Sequence, residues 1–495
     1  MRLPLKALLI FAAVLFSVTA QAKLEAQANS DILAKSDIQD QIDAIVSDYA
    51  DHEVFSGAVL VAKAGEVIYK KGHGLANREW QMANSPKVKF KIASMTKSFT
   101  ATLTFLLIEQ NKLSLDDTID KYLPFLTSKE AKDKANAITI GHILSHRTGL
   151  PRAFVIPGWF KGKFKGATEQ EFAEVIGGLD LLFTPGSDER YTNLGYFLLG
   201  LIIEQITGQS FEQVLQQQIL TPLNLTDTGI ASHNTILKNR ASGYRIGHNG
   251  GYKNPAYMNV KMFGAGAAMY TTVEDLFKWD RALYGDFLSD KIKASLFGKG
   301  MHYGWYVEKF APVQDHKPVN VVGSSGETPG FSSFMMRFVD QQHTVIILSN
   351  NAINQSEKNR MFADIAAVLY QSPETKRLQK DESLPISFLL TQGLVKGDVN
   401  KAITTYQQHP KRYVLEEAGI KSVAQQQMWS GNSAAAITLF AFNAKHFATS
   451  VDAHRQLADI YLKNEHPKLA LTSYQKALAL QPGNAGLEQK ILDLQ

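Results

Sequence analysis

The sequence predicts an α/β domain whose sheet is gathered from both ends of a largely helical stretch, followed by an all-α repeat domain. Two observations carry this. Strand-like runs occur at residues 55–71 and again at 303–348, with mostly helical periodicity between them, so one sheet has to be assembled from distant parts of the chain. Beyond a charged, proline-bearing break at 371–385, a small residue followed four positions later by an aromatic one recurs every 34 residues, a period that implies stacked helix-pair repeats. At 495 residues, 45% apolar and 20% charged, the chain is too long for one ordinary core and fits two or three domains.

Met1 to Ala22 has the three parts of a secretory signal: Arg2 and Lys6, an apolar run from Ala7 to Val18, and Ala20-Gln21-Ala22 as a small-x-small cleavage site. The run is short for a bilayer, so the expectation is cleavage after Ala22, a periplasmic protein and no stable transmembrane anchor. The expected layout is a signal peptide at 1–22, an α/β domain at 23–372, a linker at 373–386 and helical repeats at 387–495. The net charge of +5 falls by two with the leader and is dispersed, which argues against nucleic acid as a partner. There is no cysteine, which excludes disulfides, thiolate metal sites and a lipid-modified N-terminal cysteine.

Within the first domain, Ser36 to Tyr49 reads as a polar helical lead-in. Phe55 to Lys63 and Glu66 to Lys71 read as strands turned at Ala64-Gly65. Gly72-His73-Gly74 lacks the third glycine and the following helix of a dinucleotide loop. From Phe90 the pattern becomes helical, with Phe99, Leu103, Leu106 and Leu107 on one face as far as Asn111. Ile138 to Leu150 reads as a short helix stopped by Gly149 and Pro151. It carries His142 and His146 at a zinc-compatible spacing, but without the glutamate or third ligand that would make a metal site, so both are read as structural. Trp159 to Gly166 reads as a surface loop that could rim a cleft. After a turn at Thr184-Pro185-Gly186, the face formed by Leu194, Leu198, Leu201, Ile202 and Ile206 defines a helix closed by Gly208. Helical segments at Phe211 to Ile219 and Val273 to Leu283 flank a joint at Gly264-Ala265-Gly266. Tyr303 to Lys309, Val319 to Val322, Phe331 to Phe338 and Thr344 to Leu348 then read as short strands, with Met361 to Tyr370 as a helix over them.

Every later segment reads helical. Ala402, Ala436 and Ala470 precede Tyr406, Phe440 and Tyr474 at the repeat spacing, and Leu457, Ala458, Tyr461, Ala477 and Pro482 complete the last unit. Three stacked helix pairs bury faces that one pair cannot, and their concave side offers a peptide or protein partner a surface. Capping of the first domain or self-association is the alternative use.

The chemistry centres on Phe90 to Ala101. Residues three apart on a helix share a face, so Ser94 and Lys97 can meet one turn apart. A serine hydroxyl is a weak nucleophile until a neighbouring base takes its proton, and a lysine shielded from water can be that base. At a helix start, free N–H groups would also favour a developing oxyanion. Ser-x-x-Lys occurs often by chance, so the pair counts only with its context. That context is Tyr191-Thr192-Asn193-Leu194-Gly195-Tyr196, Leu144-Ser145-His146-Arg147-Thr148-Gly149-Leu150-Pro151, Thr272-Val273-Glu274-Asp275-Leu276 and Thr328-Pro329-Gly330-Phe331-Ser332-Ser333.

From about Ala44 to Tyr370 the chain resembles the class C β-lactamase and penicillin-binding serine hydrolase family. The resemblance implies a β-lactamase-like α/β domain with an antiparallel sheet flanked by helices and an all-helical subdomain. It also implies that Ser94 attacks a carbonyl, that Lys97 and Tyr191 share its proton, and that Asn193 holds Lys97 and a substrate amide. The backbone N–H groups of Ser94 and Glu327 would form the oxyanion hole, with no cofactor and no metal. The substrate would be a small molecule or peptide: a β-lactam, a D-amino-acid peptide or a carboxylic ester. In the third motif, where the family usually opens with lysine or histidine, this chain has Ser324-Ser325-Gly326. A neutral hydroxyl binds a carboxylate about half as strongly as a charged donor, so neutral acyl compounds are the expected preference. The alternative is a catalytically weak muropeptide- or ligand-binding protein whose repeats recruit other proteins.

Overall fold

The computed structural model describes residues 36–153, 156, 168–232, 234–256, 258, 260–298, 303–312, 317–370 and 384–495. The leader, the stretch from Trp159 to Gly166 and residues 371–383 lie outside them.

The first domain is built on six strands: β1 (Gly57–Lys63), β2 (Glu66–His73), β3 (Tyr306–Phe310), β4 (Val319–Thr328), β5 (Phe331–Phe338) and β6 (His343–Ser349). Their order is β3-β4-β5-β6-β1-β2 and each neighbouring pair is antiparallel. The sheet therefore joins the two ends of the domain, with Gly57 opposite Ser349 and Ala62 opposite Thr344. Both faces are covered, which is why β1 reads as an unbroken apolar run. Ala58, Leu60 and Ala62 face the larger core, while Val59 and Val61 face a second core beneath α1 (residues 36–51) and α10 (Gln355–Leu369).

The larger core holds α2 (Thr96–Glu109), which is buried on nearly every side from Thr96 to Phe105. A helix so placed must satisfy its own polar groups. Thr100, Thr102 and Thr104 do so by donating their hydroxyls to the carbonyls of Thr96, Ser98 and Thr100. Around it stand α3 (Lys129–Ala137), α4 (Ile140–Leu144), α5 (Glu169–Gly178), α6 (Leu194–Thr207), α7 (Phe211–Leu215), α8 (Val273–Ala282) and α9 (Asp290–Phe297).

Several elements differ from the sequence reading; β4, expected over Val319 to Val322, runs on to Thr328. The helix expected over Ile138 to Leu150 is only α4, because His146 takes a left-handed conformation with φ 57°. The helix expected to reach Ile219 leaves the α geometry at Leu215 and widens into a π turn over Gln216–Leu220. In contrast, α10 starts six residues before Met361: Asn354 caps it by accepting from Glu357 N, and the polar first turns hid it from an apolar-period reading.

The repeat domain pairs α11 (Ile386–Val395) with α12 (Val399–Gln408), α13 (Glu417–Trp429) with α14 (Ser433–His446), and α15 (Val451–Lys463) with α16 (Pro467–Leu480), closed by α17 (Ala485–Leu492). The register residues Ala402, Ala436 and Ala470 are buried, as are Tyr406, Phe440 and Tyr474. The array is not wholly helical: Leu384–Pro385 pairs in parallel with Tyr413–Val414. Two extended dipeptides are too short to leave an alternating pattern.

The two parts pack directly. Phe388 of α11 lies in the core under α1 and α10, its ring 4.8 Å from that of Tyr49. Ile246 of the first domain is buried among the repeat helices. Arg360 pairs with Glu416, and Gln426 Nε2 donates to Ala352 O at 2.7 Å. Phe388→Ala is therefore expected to destabilise the first domain by about 3–5 kcal/mol, read by denaturant unfolding of the full chain. An unchanged midpoint would mean that the repeats are tethered rather than packed.

Candidate active site

Ser94 is not on α2, as the spacing alone predicts, but in the 3-10 turn Ala93–Met95 just ahead of it. The turn begins at Ala93, a non-glycine residue at φ 47°, a conformation that costs of order 1–3 kcal/mol and survives only where the surroundings enforce it. They do so here. Ile92 N donates to Met269 O at 3.0 Å, and Ser333 Oγ donates to Ile92 O at 2.8 Å. Ser94 is left half-buried between fully buried neighbours.

Lys97, the second residue of α2, points back at it. Its side chain is only 2% exposed, with Nζ 3.4 Å from Ser94 Oγ, 2.6 Å from Asn193 Oδ1 and 2.8 Å from Gly266 O. No carboxylate is within ion-pair reach of it among the described residues. Burial alone holds its pKa well below that of a free lysine. As a neutral amine, Lys97 spends its two N–H groups on Asn193 and Gly266, and its lone pair faces the serine hydroxyl. As an ammonium, its third proton occupies that same line. The proton can pass between Oγ and Nζ without any rearrangement of the heavy atoms.

Tyr191 closes the cluster from the loop before α6, with its hydroxyl 2.6 Å from Ser94 Oγ and 3.3 Å from Asn193 Oδ1. Burial pushes the phenol up to about 12, against the opposing effect of its bond to Ser94, so it is neutral near pH 7. The loop is pinned at several points. Thr192 Oγ1 donates to Pro151 O, Arg190 N donates to His146 O, and the His146 ring lies 4.5 Å from that of Tyr191. Asn193 sits at the N-cap of α6, yet its side chain makes no capping bond and is turned instead toward Lys97. The two histidines serve separate bonds: Thr139 N donates to His142 Nδ1, and Thr192 N to His146 Nδ1.

The third motif lies on β4. Strand β3 pairs with it only from Val319 to Gly323, so the edge beyond is open where the Ser94 turn packs. Gly326 permits the approach, because a methyl group there would collide with Ile92 O and stand 2.7 Å from Ser94 N. Ser324 is buried and donates to Gly304 O at 3.3 Å, and Ser325 donates to Tyr306 OH at 3.4 Å. The Glu327 carboxylate accepts from Lys358 Nζ at 2.9 Å. Arg337, a possible substitute for the missing cation, is buried and bound to Asp280 at 2.6 Å.

Residues 42–370 match the beta-lactamase family model. The chain belongs to the beta-lactamase family. Residues 451–484 match the tetratricopeptide repeat model. The chain is similar to penicillin-binding protein 4* of Bacillus subtilis strain 168, 29% identical over 346 residues, 64% of this chain and 73% of that one. It is also similar to protein flp of Staphylococcus aureus strain MRSA252, 25% identical over 405 residues, 77% of this chain and 78% of that one. Among solved structures, D-amino acid amidase from Ochrobactrum anthropi SV3 with D-phenylalanine superposes with a TM-score of 0.58 at 23% identity, over 68% of this chain and 99% of that one. That likeness speaks to the fold.

Two participants in this beta-lactamase-family site escaped the sequence reading. Gly266 was legible only as a joint, yet its carbonyl is one of the two acceptors on Lys97. Thr100 Oγ1, donating to Ala265 O at 2.6 Å, fixes that joint against α2. Tyr306 stands half-exposed beside Ser325 and close enough to Tyr191 for the two phenols to influence each other. No motif announces it.

The depressed Lys97 pKa carries a stability consequence. Between its folded value and 10.5, the unfolded chain holds a proton that the folded chain lacks. Stability from this group is thus complete above 10.5 and is lost as pH falls toward the folded value. The wild type is expected to gain up to about 1.4 kcal/mol per pH unit from this group as pH rises from the folded value to 10.5. Lys97→Met should remove that part of the slope, measured by urea unfolding across the range.

Proposed function

We propose that the protein is an exported serine hydrolase that opens an amide or ester through an acyl-enzyme on Ser94. The observation that carries the reading is the Lys97 amine, buried with no carboxylate in ion-pair reach among the described residues and with Nζ 3.4 Å from Ser94 Oγ. Ser94 Oγ attacks the carbonyl carbon as its proton passes to Lys97 Nζ. The oxyanion is held by the backbone N–H groups of Ser94 and Glu327. The carbon–heteroatom bond breaks as the leaving nitrogen or oxygen takes a proton through Tyr191, and Asn193 keeps Lys97 in line. Water then attacks the acyl-serine with the same groups as base and acid, releasing the carboxylic acid and restoring Ser94. The relatives named as a penicillin-binding protein and an amidase support acyl chemistry of this broad kind. Export rests on the leader. Among the described residues, no helix is long and apolar enough to cross a membrane.

Neutral esters and amides fit the third motif better than β-lactams or peptides ending in D-alanine, because the Ser324 hydroxyl is turned inward to Gly304 O. The same observation favours a second reading, a ligand-binding protein with little turnover whose repeats recruit a partner. Intact-mass spectra after exposure to a chromogenic ester and a fluorescent penicillin separate the two readings. The hydrolase reading expects turnover, or an adduct that maps to Ser94 and is absent in Ser94→Ala. Neither signal from either reagent would leave the binding reading in its place.

Ser324→His restores a cationic donor to the strand. It is expected to raise turnover of a carboxylate-bearing lactam relative to a neutral ester several-fold, compared as kcat/KM ratios. An unchanged ratio would remove Ser324 from the account of specificity.

A further inference from the structure

A cavity of about 210 Å³ opens in the seam between the beta-lactamase-family domain and the repeats. One wall is the end of β4 and the turn beyond it, with Glu327, Pro329 and Phe331; the opposite wall is α13, with Gln425 and Trp429. Arg245 reaches into it from a short strand that pairs Arg245 with Lys253. Its guanidinium is underused: Nη1 donates to Ser430 Oγ at 3.3 Å, while the buried Nε has no partner among the described residues. Glu327 is the only carboxylate among the lining residues, and Lys358 already binds it at 2.9 Å. The cavity therefore offers a cation with donors to spare, and the lining carboxylate, Glu327, acts on it through space while its Oε1 accepts from Lys358. Around that cation stand two apolar rings and a proline, with Trp429 62% exposed at the rim, and Gln425 supplies an amide. The volume lies below the roughly 300–1,000 Å³ of a drug-sized pocket and suits the end of a chain.

We propose that this seam is an exosite for the carboxylate end of a short peptide. The guanidinium takes the carboxylate in a two-pronged contact, the terminal side chain lies against Trp429 and Phe331, and Gln425 meets the last peptide group. The carboxylate recognised here is remote from the reacting bond, unlike the one that a cation at position 324 would hold. Because Glu327 follows Gly326, which abuts Ser94 N, the exosite begins one residue along β4 from the point where that strand packs on the Ser94 turn. Binding at the seam does not require turnover at Ser94.

The test is calorimetry on full-length Ser94→Ala protein with two probes, N-acetyl-alanyl-phenylalanine and its C-terminal amide. The expected result is binding of the acid at least tenfold tighter than the amide, with the difference lost in Arg245→Gln. Gln425→Glu, at a half-buried position of α13, puts a competing carboxylate into the cavity and is expected to lose the preference with the fold intact by circular dichroism. Equal binding of the two probes, no binding of either, or a preference that survives both substitutions would overturn the proposal. An acid preference without any acyl-enzyme in the wild type would sink the hydrolase reading and leave the exosite standing. An acyl-enzyme without the preference would do the reverse.

Discussion

A lysine amine with almost no water around it is stable only if its neighbours replace the hydrogen bonds that water supplied, and much of the first domain is arranged to provide that replacement for Lys97. Asn193 comes from the start of α6 and Gly266 from the joint before α8, while Ser94 comes from the turn before α2 itself. These residues are distant in sequence, so their meeting depends on how the helical layer packs on the sheet. The threonines of α2 let that helix be buried on all sides without an unsatisfied hydroxyl. Its burial is what strips Lys97 of solvent and holds its pKa well below that of a free lysine.

The serine is positioned by a different constraint, the strain at Ala93. A backbone at φ 47° relaxes unless both sides of the turn are held, and here Ser333 and Met269 hold Ile92 while Gly326 allows β4 to lie against the turn without a side chain between. Glycine at 326 thus answers a steric demand set by the Ser94 turn. The open edge of β4 follows from the shortness of β3, which stops pairing at Gly323. Strain, close approach and unpaired edge are one device: they place backbone N–H groups next to a hydroxyl.

The legible parts of this molecule were those written in short-range pattern. The hairpin of β1 and β2, the apolar face of α6 and the 34-residue register of the repeats all follow from spacing, and the expected sheet spans the two ends of the domain as observed. Ser94, Lys97, Tyr191 and Asn193 lie within mutual reach, as their motifs led one to expect. What stayed hidden depends on tertiary geometry. Gly266 acts through a backbone carbonyl, which any residue type possesses. Tyr306 acts from a strand whose alternation is ordinary. The first turns of α10 are polar because they lie beside Glu327 and the repeats, so an apolar-face criterion passes over them. Spacing puts Ser94 on the helix because it carries no information about a positive φ at the residue before it.

The seam between the two parts was also unreadable, and for an instructive reason. Composition marks 371–385 as a break, which invites the picture of two bodies on a tether. Yet Phe388 and Ile246 each cross into the other's core, and Arg360 and Gln426 add polar contacts across the same surface. A repeat array docked this way has two distinct surfaces to offer. Its charged ladder of Lys421, Asp452, Arg455, Asp459 and Lys490 is already internally paired. The end of α13 that carries Gln425 and Trp429, by contrast, faces the end of β4, and the underused Arg245 guanidinium meets it at Ser430. Recognition by the surface whose charges are already matched would first require breaking those pairs, whereas recognition at the seam would not. That difference, rather than the general habit of such repeats to bind along their concave face, directs attention to the side of the array that faces the end of β4.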